Sequence, residues 1–209
     1  MRLTWLKWSA LPAAVLLMGG MAMAQDQSST PATKPDPTVA QRKENQQDRI
    51  ANGVKSGQLT AGETSKLENK EAAINGETRA DRAANGGKLT GTEKQQINQQ
   101  QNGVSKQIYN DKHNANTAHT GNSEVGQRRE NQQDRIANGV KSGQLTAGET
   151  SKLENQQRGI HQQVRADRAA NGGKLTAGEK RQVNREQNRA SRNIYRKKHN
   201  GRTQGGAKR

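Results

Sequence analysis

Residues 41–113 and 127–199 align without a gap at an offset of 86, with 52 of 73 positions identical and 28 of the first 29. Such a duplication limits the architecture before any single residue is considered. Both stretches must adopt closely similar local structure, and the chain reads as a repeat protein rather than one irregular domain. Each stretch also holds two copies of a shorter unit. Gly57-Gln-Leu-Thr-Ala-Gly-Glu63 and Gly87-Lys-Leu-Thr-Gly-Thr-Glu93 lie in the first, with counterparts ending at Glu149 and Glu179 in the second.

These units read as helix–loop–helix. Thr60 and Glu63 have the spacing of a capping box, in which the Thr hydroxyl accepts from the backbone N–H three residues on and the Glu reaches back. Thr90/Glu93, Thr146/Glu149 and Thr176/Glu179 repeat it. Gly57, Gly87, Gly143 and Gly173 stand where the preceding helix needs a left-handed terminating residue. The spacing predicts helices near 41–55, 61–84 and 91–112, and their equivalents in the second stretch. Ile50 and Val54, Leu67 and Ile74, and Ile97, Val104 and Ile108 recur at 4 or 7 residues, marking one apolar stripe per helix. With Leu59 and Leu89 they suffice for a small three-helix bundle. The expected fold is therefore all-α, two tandem three-helix repeats at 41–113 and 127–199. Flexible segments are expected at 25–40, 114–126 and 200–209.

Composition restricts what such bundles can do. Leu, Ile and Val number 26 among 209 residues and Phe is absent, while Gln and Asn number 42. That is too little apolar material for a conventional enzyme domain with a large core, and each bundle would depend on a partner or on the other repeat for further order. Without Cys there is no disulfide scaffold, thiolate metal site or cysteine nucleophile.

Much of the apolar material sits at the N-terminus. Arg2 and Lys7 precede the run Ala10–Met18, and Ala22-Met-Ala24 offers a small-x-small cleavage site before Gln25. This is the layout of a secretory signal peptide over 1–24; an uncleaved anchor is the alternative. The run is too short to span a bilayer stably, and no later stretch approaches the ~20 apolar residues a span needs. Cleavage would remove Arg2 and Lys7, taking the formal charge from +16 to +14, and would place the mature chain in the periplasm or outside the cell.

The mature chain resembles a group of uncharacterised exported bacterial proteins. The resemblance rests on Asn-Gly-x-x-Ser-Gly-x-Leu-Thr-x-x-Glu, on Asp-Arg-x-Ala-Asn-Gly-Gly-Lys-Leu-Thr, and on the endings Ile108-Tyr109 to Lys112-His113 and Ile194-Tyr195 to Lys198-His199. It implies export and repeat architecture, and no activity. The Gly-x-Leu-Thr-x-x-Glu unit also resembles the second half of an EF-hand loop, which makes a divergent calcium module the alternative reading. Counting back from Glu63 puts Asn52, Val54 and Ser56 at the early ligand positions, and counting back from Glu93 puts Arg82, Ala84 and Gly86 there. Calcium requires several hard oxygen ligands, and only the closing Glu is acidic. Helix capping accounts for the same residues, so no metal ligand is assigned.

Charge is divided unequally. The first stretch holds 12 basic and 9 acidic residues, the second 17 and 7. The excess gathers in the last helix, where Arg181, Arg185, Arg189, Arg192 and Arg196 fall within a sector of about 80° at 100° per residue. Lys197 and Lys198 follow, then Arg202, Lys208 and Arg209. The first stretch has Gln95, Gln99, Gly103, Lys106 and Asn110 at the ladder positions. Guanidinium groups engage phosphate, sulfate or carboxylate in bidentate fashion, so the expected partner is an anionic polymer or envelope surface. A solvated basic face is the plainer alternative. No DNA-reading motif is present, which argues against sequence-specific nucleic-acid recognition. The mature chain offers only Tyr109 and Tyr195 as stacking platforms for single strands.

Catalysis finds no foothold. His113, His119, His161 and His199 are dispersed without metal-ligand spacing, and no nucleophile motif, phosphate loop or paired-carboxylate signature occurs. The expectation is a noncatalytic protein without a cofactor.

Overall fold

The computed structural model describes residues 38–118 and 121–204. The expected signal peptide at 1–24, residues 25–37, His119 and the basic pair Lys208 and Arg209 lie outside the described residues. The protein is all-α: helices α1 (Val39–Lys55), α2 (Ala61–Ala84), α3 (Gly91–Lys112), α4 (Glu124–Lys141), α5 (Ala147–Ala170) and α6 (Ala177–Lys198) are present, with no strand among the described residues. None of these helices is long and apolar enough to cross a membrane.

The repeated loops set the helix boundaries. Thr60, Thr90, Thr146 and Thr176 are N-caps, and each closes a capping box with the Glu three residues on. A fifth box, Thr38 with Gln41, opens α1. Gly57 and Gly143 end α1 and α4 at φ of 70° and 68°, which an L side chain adopts only with strain. Leu59 and Leu145 then turn inward, fully buried, each donating its N–H to the carbonyl of a helical glycine, Gly53 or Gly139, at 3.0 and 2.9 Å.

Helix α3 packs on α1 and α2, and α6 packs on α4 and α5. The broadest helix contacts are α2 with α5 and α1 with α4, so the two stretches are joined along two pairs of equivalent helices. The apolar core crosses this junction. Ala137 of α4 belongs to the cluster of Ile50, Val54, Leu67 and Ile97, while Ala51 of α1 belongs to that of Ile136, Val140, Leu153 and Ile194. Residues 38–204 thus fall within one compact unit.

The intervening segments are also tied in. Ala118 donates its N–H to Gly57 O at 2.8 Å, and Gln204 donates its own to Gly143 O at 2.9 Å, equivalent bonds 86 residues apart. Gln204 is buried and its Oε1 accepts from Ala147 N at 2.8 Å. Helix α4 begins at Glu124 under the cap of Ser123, inside the segment 114–126 that composition suggested would be flexible. Composition missed these bonds because they are made by backbone and amide groups, which count as polar whether paired or not.

Between the joined helices the interior is unusually polar. Gln46, Gln47, Glu68, Glu71, Gln132, Gln133, Glu154 and Gln157 are all buried. Gln46 Nε2 donates to Gln101 O at 2.6 Å, and Gln132 Nε2 to Gln187 O at 2.7 Å. Gln47 serves Glu68 at 3.1 Å as Gln133 serves Glu154 at 3.0 Å. Buried amides of this kind replace apolar packing with directional bonds and thereby fix helix register. Burial drives the three carboxyls up: Glu68 rises well above its usual range, with Glu71 and Glu154 adding repulsion, and Glu71 and Glu154 each rise to about 7.

Candidate anion-binding face

Helix α6 starts at a firm cap. Thr176 N donates to Glu179 Oε2 at 2.8 Å, and Asn171 Nδ2 donates to the other carboxylate oxygen at 2.8 Å. Val183, Gln187, Ala190 and Ile194 form its buried face. Polar bonds fix its rotation. Gln187 Nε2 donates to Val125 O at 2.8 Å, Gln132 Nε2 reaches Ser191 Oγ at 2.8 Å, and Asn193 Nδ2 reaches Gln156 Oε1 at 3.0 Å. With that face inward, the ladder must point outward.

Arg181, Arg185, Arg189, Arg192 and Arg196 are all exposed. Among the described residues, no carboxylate lies within 4.0 Å of any of the five guanidinium groups; the one ion pair there is Arg128 with Glu124 at 3.3 Å. Arg196 donates to Asn193 Oδ1 at 2.5 Å, and the other four make no side-chain hydrogen bond to the described residues. The surface therefore carries five guanidinium groups along one helix face, none within 4.0 Å of a carboxylate among the described residues. Its equivalent on α3, at Gln95, Gln99, Gly103, Lys106 and Asn110, is exposed in the same way and carries one.

Arg135, which spacing on one helix could not indicate, enters the face, and Tyr195 of α6 lies at its edge. Arg135 of α4 donates to Ser191 O at 3.3 Å and lines an open groove with Arg189, Arg192, Arg196 and Tyr195. Tyr195 is 58% exposed and stacked on His199 with ring centroids 4.1 Å apart. Tyr109 and His113 form the same stack in the first stretch, at 4.2 Å, beside the mostly neutral face of α3. His113 and His199 each contact a carbonyl one turn back, that of Tyr109 or Tyr195, at 2.6 and 2.7 Å, so both close a helix C-terminus.

Lys197 and Lys198 stand apart from the ladder. The Lys198 stem lies over Gly139, and burial together with nearby Arg135 lowers its ammonium pKa. Lys197 acts on Glu149 at the start of α5. Both are half-buried and face the scaffold side of α6.

The loop carboxylates are consumed by capping. Glu63 Oε2 accepts from Thr60 N and Oγ1 at 2.9 and 2.7 Å, and its Oε1 accepts from Asn114 and Asn116 at 2.8 and 3.2 Å. Glu149 accepts from Thr146 N at 3.2 Å and from Asn200 at 2.7 Å. Against the burial that would raise them, these bonds hold both carboxyls below the usual range. Among the described residues no three His, Asp or Glu side chains converge on a point where a metal ion could sit.

Compared with known proteins, the chain matches no family model, no curated protein and no solved structure.

Proposed function

We propose that this is an exported, noncatalytic helical repeat protein that binds an anionic polymer or envelope surface through the Arg face of α6. In this reading 41–113 and 127–199 are two copies of one three-helix unit, fused through α1/α4 and α2/α5, and the second copy has been charged for binding. The export reading rests on the pattern of residues 1–24 and on the resemblance to exported repeat proteins.

One observation carries the proposal: five exposed guanidinium groups on one face of α6, with no carboxylate within 4.0 Å among the described residues, where the equivalent face of α3 has four neutral residues and one Lys. A face kept merely for solubility would not need its positive charges aligned and free of acids, since interspersed charges of both signs serve that purpose. The groove of Arg135, Arg189, Arg192, Arg196 and Tyr195 adds an aromatic surface on which a sugar or base could rest beside its anionic group.

The test is retention of the protein on a sulfated polysaccharide and on vesicles bearing phosphate headgroups, over a range of salt. Binding should weaken steeply with salt, as counterions released from the polyanion are recaptured. Arg→Gln at all five ladder positions should abolish retention on both, and unchanged retention would overturn the proposal.

A further inference from the structure

A second basic site lies away from the ladder, in a pocket of about 230 Å³ beneath the N-terminal turn of α4 and the C-terminal half of α5. Ile160 and Val164 supply apolar wall, and Arg129, His161, Arg165 and Arg168 supply positive or protonatable groups. Arg129 is 8% exposed. Arg168 is located by a bond from its Nη2 to Ser123 Oγ, the cap of α4, at 3.2 Å. Neither Arg165 nor Arg168 has a carboxylate within 4.0 Å among the described residues.

The first copy of the repeat shows what this arrangement lacks. Lys43, Arg79 and Arg82 occupy the positions equivalent to Arg129, Arg165 and Arg168. There Glu71 is buried and its carboxylate acts on Lys43, the counterpart of Arg129, while Arg79 and Arg82 repel that ammonium. The second copy has Gln157 in place of Glu71 and His161 in place of Asn75. The internal anion has been replaced by a neutral amide, and another protonatable group has been added. Glu154 is the carboxylate that acts on Arg129, and α6 contributes the neutral Gln187 to the pocket. Consistent with this, burial and the three guanidinium groups push the His161 imidazole down to about 4.

We propose that the pocket bounded by Arg129, His161, Arg165 and Arg168 binds a small oxyanion of the phosphate or sulfate class, which takes the place that the Glu71 carboxylate holds in the first copy. Such an ion fills roughly two or three times the ~30 Å³ share of one water molecule. The pocket therefore accepts it with a few waters and is too small for a polymer segment. The site shares no residue with the ladder, so it is independent of the function proposed above.

The test titrates the full-length protein with inorganic phosphate and inorganic sulfate while following the His161 imidazole by NMR. Saturable one-to-one binding is expected, with the His161 pKa rising as the anion offsets the guanidinium field. Gln157→Glu installs the first copy's own carboxylate and should weaken binding by about tenfold or more. The pair Arg165→Gln/Arg168→Gln, which leaves the core intact, should do the same. Arg→Gln at the five α6 positions should leave phosphate binding unchanged. A linear, unsaturable response of the unaltered protein would overturn the inference. So would undiminished affinity in both pocket variants. Loss of phosphate binding in the α6 variant alone would also overturn it, and would assign the anion to the ladder.

Discussion

Ser65 and Ser151, the same position in the two aligned stretches, face each other with their hydroxyl oxygens 2.9 Å apart. Ser151 donates to Asn69 Oδ1 at 2.7 Å, so Ser65 is the donor between the serines. A residue meets its own counterpart where the helices of the two aligned stretches that carry them are related by a local two-fold. Glu68 and Glu154, one turn further along, obey the same relation, with Glu154 close enough to push the Glu68 carboxyl up. Ala51 and Ala137 repeat it in α1 and α4, each lying in the other copy's apolar cluster.

That relation makes a prediction about half the molecule. Residues 36–118 expressed alone would expose the α1 and α2 surfaces that α4 and α5 now cover. Sedimentation should show either a largely unfolded chain or a homodimer in which α2 packs on its own copy. A stable, folded monomer would contradict the shared core.

Acid should stabilise the protein. Glu71 and Glu154 titrate near 7 in the fold against 4.5 when solvated, and burial raises Glu68 well above its usual range too. Between those values the native state holds protons that the unfolded state has released, so the contribution of these three carboxyls is fullest below about 4.5 and is lost as pH rises through the native values. His161, lowered from 6.5 to about 4, opposes them over that range, and Glu63 and Glu149, held low by their caps, oppose them in stronger acid. Lys43 and Arg129 oppose the effect without cancelling it. Thermal melts should fall by several degrees between about pH 5 and about pH 8, given ~2–4 °C per kcal/mol for a chain of this size. Glu71→Gln with Glu154→Gln should flatten that dependence, and an unchanged slope would place its origin elsewhere.

Glycines inside helices should divide into two kinds. A Cβ on Gly139 would stand 2.7 Å from Leu145 Cδ1 and 2.8 Å from its Cγ, and Gly53 meets Leu59 in the same way. Leu145 is fully buried and held by its backbone bond to Gly139 O, so it has little room to retreat. Gly139→Ala should therefore destabilise by about 1–3 kcal/mol. At Gly76 and Gly103 an added Cβ would meet nothing within 4 Å, and Ala there should stabilise by about 0.5–1 kcal/mol through helix propensity. Denaturant melts of the four single variants check both signs.

The helices are readable in the sequence because their ends are written in side chains. Thr60 with Glu63 and Gly57 before them mark a boundary without reference to tertiary structure, and the 86-residue offset repeats the mark. The apolar stripe of Ile50, Val54, Leu67 and Ile97 is likewise legible and is buried. The junction between copies is not. It is built from Ala51, Ser65, Gln47, Glu68 and their counterparts, residue types that periodicity assigns to solvent. Ser65 finds its partner Ser151 across the junction, and Gln47 and Gln133 each bond a buried Glu of their own stretch; no one-dimensional pattern reports such pairing. The ladder is visible because five Arg share one helix face. Arg135 is not, since only the packing of α4 on α6 brings it there.

The Arg face carries the proposed function, and moving it is the most direct test. One variant would give α6 the residues of α3, through R181Q, R185Q, R189G, R192K and R196N. A second would add to that background Q95R, Q99R, G103R, K106R and N110R, rebuilding the ladder on the exposed face of α3. The measurement is the salt dependence of affinity for a sulfated polysaccharide. The first variant should bind far more weakly, with the log–log salt slope reduced by roughly 3–4 for the four charges removed. The second should regain both affinity and slope, because the two helices present equivalent faces. Tight, salt-sensitive binding by the first variant, or none by the second, would contradict the claim that the aligned guanidinium groups are the binding site.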